Sequence, residues 1–194
     1  MIRAMGGRSD ASEVGASGPT LRLARLEDVE AIDELMKVAT RDLFPATYDA
    51  AQTAAAVRYI ASVDRALVED GTYFVFEIAG DLVACGGWSR RDKLYTGSAE
   101  GQQDARLLDP ATEPARVRAM FTRSDWTRRG LGRRILEACE AAAKAEGFGR
   151  LALMSTLPGL PLYQAYGFRV IERSEVRMPD GTAIASASMD KPID

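Results

Sequence analysis

Apolar and polar positions follow two different rhythms along the first half of the chain. In residues 26–43 apolar side chains recur every three or four positions, which predicts an amphipathic helix. Residues 47–62 predict a second helix. Residues 73–78 are mostly aromatic or β-branched, and a glycine-aspartate turn leads from them into an apolar run at 82–88, which predicts a β-hairpin. Polar and apolar residues alternate over 20–25, which predicts a short first strand.

The second half of the chain predicts a strand, a helix and a strand in succession. Residues 115–122 form a strand-like run, residues 129–146 carry an apolar stripe at helical spacing, and residues 151–156 are again apolar. Such a β-α-β unit places its two strands parallel, with a right-handed connection. A short helix and two strands are predicted after it, at 158–166, 168–176 and 185–191.

The element order is therefore β-α-α-β-β-β-α-β-α-β-β. It predicts an α/β fold in which a mixed, mostly antiparallel central sheet with one parallel β-α-β pair is flanked by helices. The chain of 194 residues is 46% hydrophobic, which suits a single domain. We expect this domain to span residues 19–194, and residues 1–18, rich in glycine, serine and alanine, to form a disordered N-terminal tail.

Charge and hydropathy limit the cellular location and the classes of partner that we expect for the protein. A net charge of −3 argues against binding nucleic acid through the overall electrostatic field. No stretch is apolar over the length of a transmembrane helix, and residues 1–18 lack the apolar segment of a signal peptide. We therefore expect a cytoplasmic protein with no membrane and no nucleic acid as partner.

Two residue types limit the chemistry. The chain has no histidine, which excludes Ser-His-Asp and Cys-His catalysis and metal sites built on imidazole. Cys85 and Cys139 lie far apart in apolar surroundings, so neither a disulfide framework nor a metal-thiolate spacing is available. We expect both thiols in the core and no bound metal.

A glycine-containing turn between the predicted strand and helix is the main candidate for a binding site. Residues 126–132 are Trp-Thr-Arg-Arg-Gly-Leu-Gly. Free N–H groups at a helix start, together with the helix dipole, favour a bound anion, and glycine lets a ligand approach the main chain. A solvated helix face is the alternative for each arginine of the surrounding cluster. The cluster comprises Arg116, Arg118, Arg123, Arg128, Arg129, Arg133 and Arg134.

Two common phosphate-binding loops do not fit this turn. A Walker A loop ends in Gly-Lys-Ser/Thr, which is missing here. A dinucleotide fingerprint needs a small residue where the chain has Ile135, and an acidic residue where it has Ser155 and Thr156.

A second motif lies about thirty residues downstream of the turn, and the two motifs together fit a known pattern better than the turn fits either phosphate-binding loop. Thr-Arg-Arg-Gly-Leu-Gly at 127–132, followed by Leu-Tyr-Gln-Ala-Tyr-Gly-Phe at 162–168, resembles the GCN5-related N-acetyltransferase (GNAT) superfamily. The element order resembles that fold over roughly residues 20–191. The chain departs from the family pattern at Thr127, where arginine or glutamine is usual, and at Ser124, where many members have proline. It also has no clear counterpart of the asparagine that often follows the fifth strand.

The resemblance implies acetyl-CoA as co-substrate and a primary amine as acceptor, with direct attack of the amine on the thioester. It implies a pyrophosphate cradle at the helix start and pantetheine contacts on the preceding strand. It also implies that Tyr163 is the general acid for the departing thiolate, with Tyr166 a weaker candidate and a packing ring the alternative for Tyr163. The cofactor-binding residues are then Met120, Phe121, Thr122, Arg128, Arg129, Gly130, Leu131, Gly132 and Arg133.

The general base and the acceptor are left open. Residues 115–122 contain no acid and no imidazole, so we expect deprotonation through water, or an amine that arrives partly neutral. Residues 41–50, 89–114 and 177–184 are the segments expected to select the acceptor. A non-catalytic acyl-CoA sensor, a nucleic acid binder that uses the arginines, and an α/β domain with a structural turn are the alternatives. A homodimer is an expectation from the resemblance.

Overall fold

The protein is built on one mixed β-sheet. A computed structural model of the chain describes residues 18–93 and 106–193, and in these ranges seven strands pair in the order β1-β2-β3-β4-β5-β7-β6. The strands are β1 (Thr20–Leu23), β2 (Tyr73–Ile78), β3 (Asp81–Ser89), β4 (Ala115–Thr122), β5 (Arg150–Thr156), β6 (Arg169–Arg177) and β7 (Ala183–Pro192). The β4–β5 pair is parallel and the other pairs are antiparallel. The predicted fold class and the predicted parallel crossover are confirmed.

Helices cover the sheet and lie where apolar stripes predicted them, with one addition. They are α1 (Val29–Leu43), α2 (Ala50–Tyr59), α3 (Arg65–Glu69), α4 (Leu131–Ala145) and α5 (Leu160–Tyr166). The sequence prediction missed α3, because five residues are too short to show a helical period. In the described ranges no helix is both long and apolar enough to cross a membrane.

Helix α2 begins at Ala50 and not at residue 47, because Asp49 caps it. The Gln52 N–H donates to the Asp49 carboxylate over 2.8 Å, and the Asp49 N–H donates to the Gln52 side chain over 3.1 Å. This reciprocal capping satisfies main-chain donors that would otherwise be unpaired at the helix start. The Gln52 amide also donates to the Ala183 carbonyl, 2.9 Å away, which ties α2 to β7.

The two faces of the sheet bury separate apolar clusters. Along β2, Tyr73 and Val75 point into the cluster beneath α1, whereas Phe76 points into the cluster beneath α4. Consecutive strand residues face opposite sides, so one short strand serves both layers. The α4 cluster is held by a buried stripe on that helix, composed of Leu131, Ile135, Leu136, Cys139 and Ala143.

Two segments named in the sequence analysis lie largely outside the described residues. The predicted tail falls on 1–17, and 94–105 make up much of the predicted long loop. The described flanks of that loop approach each other, since Arg91 and Leu107 form an isolated antiparallel bridge.

Candidate functional site

An opening lies between the parallel strands at the centre of the sheet. β4 and β5 pair only at Ala115 with Leu151 and at Arg116 with Ala152, among the described residues. β4 continues to Thr122 and β5 to Thr156, and over these described lengths the two strands do not pair with each other again. The diverging strands leave main-chain groups of the inner edges without a ladder partner, which makes them available to an extended ligand.

A bulge in β4 shapes one wall of this opening. Cys85 pairs with Phe121 and Gly87 with Arg118, so Gly86 faces two residues of β4 instead of one. One of those two, Ala119, has a φ of 52°, a conformation that alanine rarely adopts. A Cβ on Gly86 would lie 2.2 Å from the Met120 sulfur and 3.3 Å from the Met120 Cα, so glycine lets β3 approach β4 closely at this point. The bulge therefore bends β4 at the level where it leaves β5.

The main chain beyond the bulge is directed into the opening at alternate residues. The Arg123 N–H donates to the Val83 carbonyl of β3 over 3.0 Å. Since N–H groups alternate between the two edges of a strand, the N–H of Thr122 points away from β3 and toward the opening. The same alternation directs Met120 into the opening and Phe121 toward β3. Of the three predicted pantetheine contacts on β4, two therefore face the opening.

The glycine turn leads into α4 with its amide groups unpaired. Gly130 precedes the helix with a φ of 79°, and Arg128 has a φ of 61°. The first hydrogen bond of α4 runs from the Arg134 N–H to the Gly130 carbonyl, 3.1 Å apart. No N–H of residues 128–133 donates to an acceptor in the described part of the chain. Adjacent N–H groups at a helix start form a concave anion site.

Positive charge surrounds this helix start. Arg129 stacks over the Trp126 ring at 4.4 Å from its centroid and donates to the Asp125 carbonyl over 3.0 Å. Arg134 stacks over the Phe76 ring at 4.5 Å. Aromatic stacking holds a guanidinium in place and leaves its edge free for a phosphate. The exposed arginines here are Arg128, Arg129, Arg133 and Arg134.

Close contacts join the helix start to the strand opening and to α5. A Cβ on Gly132 would lie 2.9 Å from the Leu162 side chain of α5. A Cβ on Gly86 would lie near both Met120 and Ile135 of α4, so the wall of the opening packs on the same helix. The turn, β4 and α5 are thus brought together around one end of α4.

Tyr163 is buried next to the end of β5. Its side chain is 8% exposed and packs edge-on against Phe168, with ring centroids 5.8 Å apart. A Cβ on Gly159 would lie 2.9 Å from the Tyr163 ring and 3.1 Å from the Ser155 hydroxyl, so small residues make room for the ring. Burial, with Cys139 nearby, raises the pKa of Tyr163 above the ordinary tyrosine value. The hydroxyl therefore stays protonated at neutral pH.

Tyr166 is in a different environment from Tyr163. Two cations lie over its ring, Arg133 at 5.6 Å and Lys191 at 5.2 Å from the centroid. Burial and a hydrogen bond with Glu140 raise the pKa of Tyr166. The Tyr166 hydroxyl is thus engaged by a carboxylate, whereas the hydroxyl of Tyr163 has no hydrogen-bond partner among the described residues.

The segment between α1 and α2 lies over the ends of both diverging strands. The Ser124 hydroxyl, just after β4, donates to the Asp42 carboxylate over 2.6 Å. The Tyr48 hydroxyl donates to the Ala185 carbonyl over 2.6 Å and accepts from the Leu157 N–H, just after β5, over 2.8 Å. Beside this segment is an open cavity of about 630 Å³. Its lining is mostly apolar and comprises Arg41, Pro45, Tyr48, Ala50, Thr53, Ala54 and Val57.

The two thiols are buried and protonated. Cys85 and Cys139 are both unexposed and unbridged. Burial raises the pKa of Cys85 to about 12 and also raises the pKa of Cys139. A thiol with so high a pKa is a poor nucleophile at neutral pH. In the described ranges no group of three or more metal-ligating side chains comes together.

The comparison with known proteins assigns the family. The model of the Acetyltransferase (GNAT) family matches residues 32–168, which include the strand opening, the turn and α5. The chain belongs to this family. The resemblance stated from the sequence is confirmed. No curated protein matches the sequence of this chain.

Solved structures with the same fold include several GNAT acetyltransferases. A GCN5-related N-acetyltransferase from Rhodopseudomonas palustris is 19% identical, with 92% of this chain and 98% of that one covered and a TM-score of 0.69. The PaiA N-acetyltransferase of Thermoplasma acidophilum, solved with coenzyme A, is 14% identical, with 91% and 100% covered and a TM-score of 0.65. YncA of Salmonella typhimurium, a putative acetyltransferase solved with acetyl-CoA, is 19% identical, with 92% and 95% covered and a TM-score of 0.60. At these identities the likeness concerns the fold.

Two features of the site were not predicted from the sequence. The bulge at Ala119 has one indication in the sequence, which is the pair of adjacent glycines 86 and 87 inside the neighbouring strand. Glycines within a strand are typical of a bulge or a close backbone approach. The link from Tyr48 to β5 and β7 left no signal, because its partners are 109 and 137 residues away in sequence.

Proposed function

We propose that the protein transfers an acetyl group from acetyl-CoA to a primary amine by direct attack. The observation that carries the proposal is the junction of an unpaired, arginine-rich helix start with an opening between parallel strands. An extended anionic ligand such as acetyl-CoA needs both features at once: donors for its diphosphate, and main-chain edges along which its amide-containing arm can lie.

The donor is proposed to lie along α4 and β4. The diphosphate accepts hydrogen bonds from the N–H groups of residues 128–133, and the exposed arginines neutralise its charge. The pantetheine arm enters the opening beside Met120 and Thr122. There one strand N–H donates to the thioester carbonyl, and it stabilises the negative charge that develops on that oxygen, typically by a few kcal/mol.

Tyr163 is proposed as the general acid. A neutral amine attacks the thioester carbon and forms a C–N bond, and the tetrahedral intermediate then expels the CoA thiolate by breaking the C–S bond. Tyr163 gives its proton to the sulfur, the attacking nitrogen releases its extra proton to water, and Tyr163 regains a proton from the same solvent. Tyr163 is protonated across the physiological range, which is the state that donation requires, and the burial that raises its pKa makes it a weaker acid than an exposed tyrosine.

The acceptor is proposed to approach from the segment 41–50, which lies over the ends of β4 and β5. The amine loses its proton to water, or arrives neutral, because β4 carries no acid in its described length. The segments 89–114 and 177–184 are proposed to complete acceptor selection. Two unbridged thiols suit the reducing cytoplasm, which is the proposed location. A homodimer stays a prediction.

Binding of the donor is tested first. Acetyl-CoA at millimolar concentration should raise the melting temperature, because a ligand of the native state stabilises it by mass action. Adenosine at the same concentration is the control that lacks the diphosphate. No shift with acetyl-CoA contradicts the proposal. Binding that weakens steeply with salt, together with indifference to CoA, would instead support the nucleic acid alternative.

Transfer is tested by release of free CoA over a panel of amines, with Tyr163→Phe and Tyr166→Phe as a matched pair. We expect Tyr163→Phe to lower kcat about 100-fold or more, as for loss of a general acid. We expect Tyr166→Phe to stay within about threefold, because a carboxylate already engages its hydroxyl. Equal effects of the two substitutions would contradict the assignment of Tyr163. Donor binding without turnover on any amine would favour the sensor.

A further inference from the structure

The bulge in β4 depends on a conformation that its own residue disfavours. Ala119 has a φ of 52°, where the Cβ of an L residue crowds the backbone. Such a residue persists only when neighbouring contacts over-determine it.

A buried tyrosine on the opposite side of β3 supplies such a contact. The Tyr73 hydroxyl donates to the Ala119 carbonyl over 2.7 Å, from a side chain that is wholly buried. The hydrogen bond joins β2 to β4 across the intervening strand β3, so it is independent of the sheet ladder. A buried hydrogen bond of this kind is costly to leave unmade.

The Tyr73 ring has little freedom to follow a shift of β4. A Cβ on Gly87 would lie 2.6 Å from the Tyr73 ring and 3.0 Å from its Cα, so β3 packs directly against it. Cys85, which pairs with Phe121 in the sheet, lies within hydrogen-bonding reach of the same hydroxyl. The hydroxyl is therefore held at a fixed place, and it holds the Ala119 carbonyl in turn.

The register of the donor-facing main chain follows from the bulge. Two residues of β4 face Gly86, and the alternation of N–H groups beyond them directs Thr122 into the opening. Without the extra residue the alternation shifts by one position and Phe121 takes that direction.

We propose that Tyr73 is a positioning residue for the donor: its hydroxyl holds the strained Ala119 bulge and so directs the N–H groups of β4 at the bound acetyl-CoA. This inference rests on the proposed function. Tyr73 itself touches no substrate, because its side chain lies in the core beneath α1.

A double-mutant cycle tests this role. Tyr73→Phe removes the hydroxyl, and Ala119→Gly removes the need for it, because glycine adopts a positive φ without strain. In the alanine background we expect Tyr73→Phe to weaken acetyl-CoA binding about tenfold and to raise the KM for acetyl-CoA with it. In the glycine background we expect the same change to weaken binding less than threefold.

Ile32→Val is the control for a loss of stability alone. Ile32 is unexposed and lies in the same cluster as Tyr73, so the substitution should lower the melting temperature while leaving the affinity for acetyl-CoA unchanged. Equal weakening in the alanine and glycine backgrounds overturns the inference, and so does wild-type affinity of Tyr73→Phe.

Amide hydrogen exchange in the ligand-free protein keeps this test separate from the proposed function. Tyr73→Phe should speed exchange in residues 119–122 relative to the rest of β4, and Ala119→Gly should suppress that difference. If the wild-type protein binds no acetyl-CoA, the proposed function fails. Unchanged exchange in residues 119–122 overturns the role of Tyr73 by itself.

Discussion

Gly130 at the start of α4 provides a sharp test of the phosphate cradle. Its φ is 79°, and a Cβ added to it would meet nothing within 4 Å. Gly130→Ala therefore carries no steric clash with other residues, and its cost is conformational. An L residue costs about 1–2 kcal/mol in the left-handed region, and alanine recovers about 0.4–1 kcal/mol by stiffening the unfolded chain.

The net loss is about 1 kcal/mol, which lowers the melting temperature by about 2–4 °C for a chain of this size. Where the backbone relaxes to avoid this cost, the N–H groups of the turn rotate away from the ligand. Losing one hydrogen bond to a charged group costs about 1.5–3 kcal/mol, so we expect the Kd for acetyl-CoA to rise at least tenfold. Thermal unfolding and titration calorimetry measure the two effects.

Two other glycines are matched controls. Gly181 has a φ of 87° and Gly149 does not have a positive φ, and neither would bring a Cβ within 4 Å of another group. Gly181→Ala should lose as much stability as Gly130→Ala and should keep its affinity for acetyl-CoA. Gly149→Ala should lose neither. Wild-type affinity in Gly130→Ala would refute the cradle, and unequal stability of the two strained variants would refute the conformational argument.

Further predictions concern the ion pairs, the thiols and the space around the proposed acid. Hydrogen bonds from Arg22 hold the pKa of the Asp28 carboxyl below its ordinary value. The stability that the Asp28 carboxylate contributes to the fold is therefore present above the unfolded-state pKa. It is lost as the pH falls through the folded-state pKa. In urea unfolding, Asp28→Asn should therefore cost about 2 kcal/mol at pH 7 and progressively less below pH 4. Iodoacetamide at pH 8 should label neither thiol of the folded protein and both in guanidinium, and fast labelling of Cys85 would contradict its burial. Gly159→Ala should displace the Tyr163 ring and lower kcat more than it raises the KM for acetyl-CoA; a pure KM effect would place the ring elsewhere.

The local features of the fold could be predicted because their causes lie within a few residues of each other. The stripe on α4 and the alternation in β2 each depend on side chains less than one helical or strand repeat apart. The parallel β4–β5 pair also follows from local order, since a strand, a helix and a strand admit one handed connection. Gly130 could be located for the same reason, because only a residue that tolerates positive φ suits that turn.

Two kinds of feature could not be predicted: the exact ends of helices and very short helices, and contacts between residues far apart in sequence. The sequence pattern predicted that the second helix starts at residue 47, whereas Asp49 caps α2. The pattern gave no indication of α3. Helix capping is decided by single side-chain hydrogen bonds, which compete with equally plausible neighbours. The role of Tyr163 was predicted from a motif, yet its burial and its raised pKa depend on packing against Gly159 and Phe168.

The sequence by itself determined the order of the strands and of every described helix except α3, and it also determined the parallel crossover and the glycine turn. Periodicity and turn chemistry are encoded in neighbouring residues. The tertiary structure alone decided that β4 parts from β5 after two paired positions, and that Tyr73 reaches across β3 to the Ala119 bulge. Both features arise from contacts between residues tens of positions apart. Their free energy depends on how whole layers pack, which no local pattern records.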